Sequence, residues 1–600
     1  MRRFDGFLFG LLLFGLIRCE TTGFGAEPVR LKMLVPAEYL PSIPILVRVE
    51  ALNASGGREV TLWDAEVILT ADVPGVVLST NRVILRNGMG SILVGVTGGD
   101  FELTARLGEL MATRHLGARS LLQAISVGGT LPAGSVVWSG TVQVTNTVVV
   151  PPTTTLTILS NTLVLMNGST SNGGAANLIV GGTLQSLGTE EQPVTFTSSS
   201  PLPTLRWGQL RHTNAPASLY RGTIITRAGR AAAEGGHTGQ GPVIRPVNTR
   251  LTFEQCSLTD HCETERANSG FGTPGKVGLA EGSDLTFNDC LMQRARSGPE
   301  ISGTALLCTN TWVLDMRGPD DSDGIYLHQQ GAGQRLFVSG CVFAGGDDDG
   351  IDTLGPILEV ENTIFRDWNN RLEDAKAISV FNGSTHVRRS LILNSTVGIA
   401  AKWSGGSAAL VTIEQSTIYG NLTNVLAQKK SNAPGPFVDY RITNSILWGG
   451  DVSVQSDFAQ TNFTIRYCDV GEAWPGEGNV TVEPSFQNEA GNDFRLRPGS
   501  PCIDAGLPGI LDPDGSIVDL GYLTFLPGAP RLSGGESLPD GSFQWLLEAY
   551  PNRDYVVETA GEPGGWARLR TVHPTTSSEL VHDETAVGIG HRLYRVRLAP

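Results

Sequence analysis

The sequence predicts an all-β chain built largely as a solenoid, and three observations carry that reading. Gly (74) and Pro (33) are abundant among the 600 residues, yet 40% of the chain is hydrophobic and only 17% is charged. That mixture is too apolar for disorder, lacks a Gly-x-y period and leaves too few charges for coiled coils or long solvated helices. An eight-residue pattern also recurs through the middle of the chain: apolar, x, apolar, x, x, small, x, apolar. Finally, no later segment is long and apolar enough to cross a membrane as a helix.

The N-terminus comes first. Met1-Arg2-Arg3, an apolar run from Phe7 to Ile17 and a small-residue stretch ending Gly25-Ala26 follow the basic, greasy, small order of a secretory signal peptide. Residues 1–26 are therefore expected to be removed on export, leaving a secreted, extracellular or cell-surface protein. Arg18 before Cys19 argues against a lipoprotein signal. The net charge of −15 argues against a nucleic acid as partner.

Residues 27–125 alternate apolar and polar without the octet, as in VRLKMLV, ILVRVEAL and FELTARLG. Short strands at this spacing predict an immunoglobulin-like β-sandwich, expected to cover the first coil of the solenoid.

Residues 126–530 hold the repeat. Its octets are LTFEQCSL from Leu251, LTFNDCLM from Leu285, LLCTNTWV from Leu306, LFVSGCVF from Leu336 and LEVENTIF from Leu358. THVRRSLI from Thr385, VTIEQSTI from Val411, YRITNSIL from Tyr440 and FTIRYCDV from Phe463 follow. The third position is apolar throughout and the sixth is small: Cys256, Cys290, Thr311, Cys341, Thr363, Ser390, Ser416, Ser445 and Cys468. Alternation with period 2, repeating every roughly 26 residues, is one coil of a parallel β-helix. Four cysteines then belong to an internal small-residue ladder rather than to a disulfide framework or a metal site, and Cys256-x5-Cys262 is not a zinc-pair spacing. Residues 531–600, with GSFQWLLEAYP, RDYVVETA and HRLYRVRLA, predict a second small β-sandwich, an attachment or sugar-binding module. Trp545 and Trp566 there suit core packing better than stacking on a sugar.

The densest polar constellation is GGDDDGIDTLG at 345–355, with Asp347, Asp348, Asp349 and Asp352. Asp320, Asp321 and Asp323 precede it by one coil; Glu373, Asp374 and Lys376 follow, and then Lys402. Aligning Ile325, Ile351, Ile378, Ile399 and Val425 brings these groups onto one lateral face. Clustered carboxylates repel unless compensated, and Ca²⁺, which takes oxygen ligands, is the expected compensator. The histidines are scattered and read mostly as surface residues. No Gly-rich phosphate loop, HExxH or GxSxG is present.

These segments resemble known proteins. The run from about Gly128 to Tyr522, including SPCIDAG and DPDG near its end, resembles secreted bacterial right-handed parallel β-helix proteins of the pectate-lyase-like superfamily in its broad sense. DDDGID, EDAKAIS and GIAAK resemble a DDGID, DKGIS and GIAxK module of such proteins, with an extra residue at Asp374-Ala-Lys376-Ala and with Trp403 after Lys402. A more distant resemblance to calcium-dependent pectate lyases implies a Ca²⁺-dependent uronate polysaccharide lyase acting by β-elimination. It implies Asp347, Asp348, Asp349, Asp352 and Asp374 as metal ligands and Lys376 or Lys402 as general base. The alternative is a non-catalytic surface or envelope protein that binds glycan or serves a structural, adhesive role. A glycoside hydrolase, which would use paired carboxylates, is disfavoured because the G-H-G turn of such enzymes is missing.

Overall fold

The structure is a computed structural model. It describes residues 28–232, 241–261, 276–303, 305–318, 322–328, 335–355, 357–370, 375–403, 409–430, 438–458, 462–513, 515–525, 530–549, 553–560, 566–575, 578–587 and 592–599. The expected signal peptide and Cys262 lie outside them.

Between Thr154 and Ser456 each coil contributes three strands. One coil runs through Arg335–Ser339, Val342–Gly346 and Ile351–Leu354, and the next through Ile357–Glu361, Ile364–Trp368 and Lys376–Phe381. First strands stack into a 13-stranded parallel sheet, and second and third strands into a 25-stranded one. Stacking is in register, with Arg335 beside Ile357 and Ser384, and Val342 beside Ile364 and Leu391. The chain is a parallel β-helix protein.

Inward residues form one continuous core along the solenoid. Third-position aromatics stack in it, Tyr220 on Phe253 at 4.8 Å and Phe253 on Phe287 at 5.0 Å between ring centroids. The sixth-position residues are buried as expected, and their chemistry explains why they are Ser, Thr or Cys. Each hydroxyl donates to the carbonyl two residues earlier, as Thr363 does to Glu361 at 2.8 Å and Ser390 to Arg388 at 2.9 Å. It also accepts the backbone N–H of its counterpart one coil back, as Ser390 does from Thr363 and Ser416 from Ser390, both at 3.3 Å. An alanine would leave that buried N–H without a partner. The six cysteines among the described residues are buried and unbridged.

The fifth octet position, featureless in the sequence pattern, is the corner. Gln255, Asp289, Asn310, Gly340, Asn362, Arg389, Gln415, Asn444 and Tyr467 all have positive φ, between 45° and 65°. One left-handed residue per coil turns the first strand into the second.

The N-terminal residues form sheets of three and five strands around an apolar core, together with a two-stranded pair. This domain does not sit over the first coil; it lies along the side of the solenoid. Its Met89 packs with Leu291, Trp312, Val342 and Ile364, while Arg48 donates to the Cys256 carbonyl at 3.3 Å and Arg86 pairs with Asp315 at 3.1 Å. Arg366 reaches back to Asp64 at 2.7 Å. The physical reason is the second-strand row, apolar on both sides in segments such as Trp312-Val313-Leu314 and Val342-Phe343-Ala344. A sheet with two greasy faces must be covered on both. Further along, Phe486, Phe494, Leu496, Cys502 and Leu520 of the closing segment cover Leu391, Leu393 and Ile446 of the same row.

Residues 531–598 contain two three-stranded antiparallel sheets around Trp545, Leu547, Tyr555 and Val557. Trp545 is core, and the Arg595 guanidinium lies 4.4 Å from the Trp566 ring centroid.

Candidate functional site

With the second-strand row covered, the third strands carry the acidic turns. The alignment made from sequence is the register found: Ile325, Ile351, Ile378, Ile399 and Val425 are Cα partners in succession and all point inward. The residue before each of the first four must be small. A Cβ on Gly324 would lie 2.4 Å from the Gly350 carbonyl oxygen, and one on Gly350 would lie 2.4 Å from that of Ala377. This tight corner sets Asp323, Asp349 and Lys376 above one another on successive coils.

Each aspartate of that column anchors the coil after it. Asp323 Oδ1 accepts the backbone N–H of Asp349 at 3.2 Å, and Asp349 Oδ1 accepts that of Lys376 at 2.9 Å. The side chains then converge. Lys376 Nζ lies 3.5 Å from Asp349 Oδ1, and Lys402 Nζ lies 3.4 Å from both Asp349 Oδ2 and Asp352 Oδ1. Ser379, the register partner of Asp352, donates to Asp352 Oδ1 at 2.6 Å. The side chains of Lys376 and Asp349 are each 3% exposed, and those of Lys402 and Asp352 are 12% and 16% exposed.

Electrostatics divides the roles. Burial would raise the Asp349 carboxyl, but Lys376 and Lys402 outweigh it and hold Asp349 below the ordinary carboxylate range. Asp352 goes the other way, raised by burial and by the neighbouring Asp349 charge despite Lys402. Burial disfavours the Lys402 ammonium, yet Asp349, Asp352 and Asp323 overcome this and hold it well above the usual lysine value. At neutral pH Lys402 is a fixed cation, a hydrogen-bond donor that cannot serve as a base.

The five aspartates singled out as ligands therefore part company. Asp347 faces Arg317 at 2.9 Å and accepts the Gly318 N–H at 3.2 Å. Asp352 joins the lysine network. Asp374, like Glu373, Asp320 and Asp321, lies outside the described residues. Asp348 and Asp349 meet Asp323, and one carboxylate oxygen from each lies within 4.8 Å of the others. Asp323 belonged to the acidic run one coil earlier, and the shared Asp-Gly-Ile of 323–325 and 349–351, aligned at the isoleucines, is the signal that places it beside Asp349. Three hard oxygen donors with excess negative charge suit Ca²⁺ chemically. Lys429 and Lys430 are exposed. His212 and His261, in contrast to the surface role expected for most histidines, are wholly buried, and burial pushes both down to about 3. They are neutral at physiological pH.

No protein-family model and no curated protein matches the sequence. Among solved structures, a mutant of the periplasmic alginate epimerase AlgG is similar with TM-score 0.30 and 10% identity, covering 53% of this chain and 84% of that one. An alginate lyase from Paenibacillus sp. str. FPU-7 is similar with TM-score 0.23 and 12% identity, covering 50% and 92% respectively. The tailspike protein gp49 from Pseudomonas phage LKA1 is similar with TM-score 0.23 and 8% identity, covering 96% and 81%.

Proposed function

We propose that the protein is exported and acts on an acidic extracellular polysaccharide by β-elimination, at the third-strand face around Asp349. The observation that carries this reading is the convergence of Asp349, Asp352, Lys376 and Lys402 from three coils into one network. Cleaving a uronate polymer this way requires neutralising the sugar carboxylate, removing the C5 proton and protonating the departing oxygen. Lys402, held as a cation, supplies charge opposite the substrate carboxylate. Lys376 is the remaining candidate to take the C5 proton, a role open to it only once its pair with Asp349 is released and its ammonium has given up a proton. Asp352, whose carboxyl is raised by burial and by the Asp349 charge, is the proposed donor to the leaving oxygen. A Ca²⁺ held by Asp323, Asp348 and Asp349 would add further neutralisation of the uronate and acidify its C5 proton. Asp349 belongs both to that triad and to the lysine pairs, so ligation there and lysine protonation are coupled.

A second reading rests on a different observation. The network is buried and its charges face one another, as in a structural ion cluster of a non-catalytic glycan-binding protein. Incubation with a panel of uronate polymers, followed by ultraviolet absorbance of the unsaturated product, separates the two. The lyase reading expects rising absorbance on at least one polymer, suppressed by a chelator. A flat trace on every polymer, with glycan binding retained, would favour the binding protein.

A further inference from the structure

Among the described residues, neither the N-terminal domain nor the closing segment covers the first-strand sheet, and its outward residues form columns along the solenoid. One column runs Thr286, Leu307, Phe337, Glu359, His386, Thr412 and Arg441. Phe337 is the one phenylalanine, tyrosine or tryptophan of this run and, half-buried, lines a recess of about 210 Å³. Glu359, Glu361, His386 and Arg388 line the remainder of the recess.

The polar rim is built of matched pairs. Glu359 pairs with Arg335 at 2.6 Å, Glu361 with Arg388 at 2.8 Å and with Arg389, and His386 with Glu414 at 3.0 Å. Counting the partners just outside the lining, the carboxylates of Glu359, Glu361 and Glu414 stand against the guanidiniums of Arg335, Arg388 and Arg389, so the surroundings of the recess carry no net charge and offer acceptors and donors side by side. Leu307 and Ile357 nearby are 37% and 47% exposed.

We propose that this recess binds a neutral pyranose unit of a glycan. The C–H face of a pyranose ring is flat and apolar and packs on the Phe337 ring, as other apolar surfaces pack on aromatic faces. Its hydroxyls are both donors and acceptors and so match paired carboxylates and guanidiniums without breaking charge balance. A uronate would bring an unmatched negative charge to a rim already neutral. Strands recur every about 4.8 Å along the column, so a polymer lying along it meets a fresh set of side chains at each coil. This site lies on a different face from the Asp349 network and does not depend on the reading given to that network.

The test is calorimetric titration of the full-length protein with neutral hexasaccharides of glucose, mannose, galactose and xylose, beside a uronate hexasaccharide. Wild type is expected to bind at least one neutral probe, Phe337→Ala to bind it about ten-fold more weakly, and Phe337→Tyr to retain binding. Arg388→Ala should also weaken it, while uronate binding is unchanged by Phe337→Ala. No neutral probe binding at millimolar concentration, or equal binding by Phe337→Ala and wild type, would overturn the proposal.

Discussion

Asp349 is the residue on which the acidic face depends. It accepts the Lys376 N–H, faces the ammonium groups of Lys376 and Lys402 and approaches Asp323 and Asp348. Removing its charge takes away the carboxylate that both buried ammonium groups face, and losing one partner of a buried pair costs about 3–5 kcal/mol. Asp349→Asn is therefore expected to lower the thermal midpoint markedly, and adding Lys376→Met is expected to restore part of the loss. Equal stability of Asp349→Asn and wild type would show that the ion pairs are not formed. The sequence showed which coil carries the acids, because the Gly-Ile and Ala-Ile steps fix the stacking. It did not show which acid pairs with which base. Asp347 and Asp349 are two residues apart, yet one faces Arg317 and the other faces lysines one and two coils away, and only the depth of the corner decides that.

At the scale of the strand and its corners, the solenoid is governed by close approach. The octet was legible because alternation and small sixth residues leave a period in the sequence. The corners were not, since Gln255, Arg389, Gln415 and Tyr467 hold left-handed φ values without being residues that favour them. Stacking overrides local preference there. Covering of the second-strand row was visible only as strands apolar on both faces, a signal weaker than the octet itself. Gly350 is the sharpest test of the corner. An added Cβ would meet the Ala377 oxygen at 2.4 Å, with Phe365 at 3.1 Å and Trp368 at 3.2 Å. Backbone in the next coil cannot yield as a flexible side chain can, so Gly350→Ala should cost about 1–3 kcal/mol and, by shifting the Asp349–Lys376 step, reduce any activity of the face. An unchanged melting curve would mean that the coils are less tightly stacked than described.

For the whole molecule, stability depends on how the ends and side are closed. In the closing segment Cys502 donates to Asp469 at 3.2 Å, and burial pushes the Asp469 carboxyl up to about 6. Asp519 is likewise raised by burial and by Asp512 and Asp504. Both carboxyls bind protons more tightly in the fold than in the unfolded chain. The stability this gives is complete below the ordinary value of 3.8 and, for Asp469, is lost as pH rises through about 6. Between those limits Asp469→Asn should flatten the fall of thermal midpoint with pH; an unaltered slope would place the effect elsewhere.

The N-terminal domain and the closing segment together cover the second-strand row, and the central claim proposed for the molecule is that its third-strand face cleaves uronate polymers. Mass spectrometry of the ends generated when a uronate polymer is incubated with the protein tests that central claim most directly. The expected result is a new end lighter by one water than hydrolysis would give, lost in Lys402→Met. Saturated ends, or an intact polymer across the panel, would contradict it.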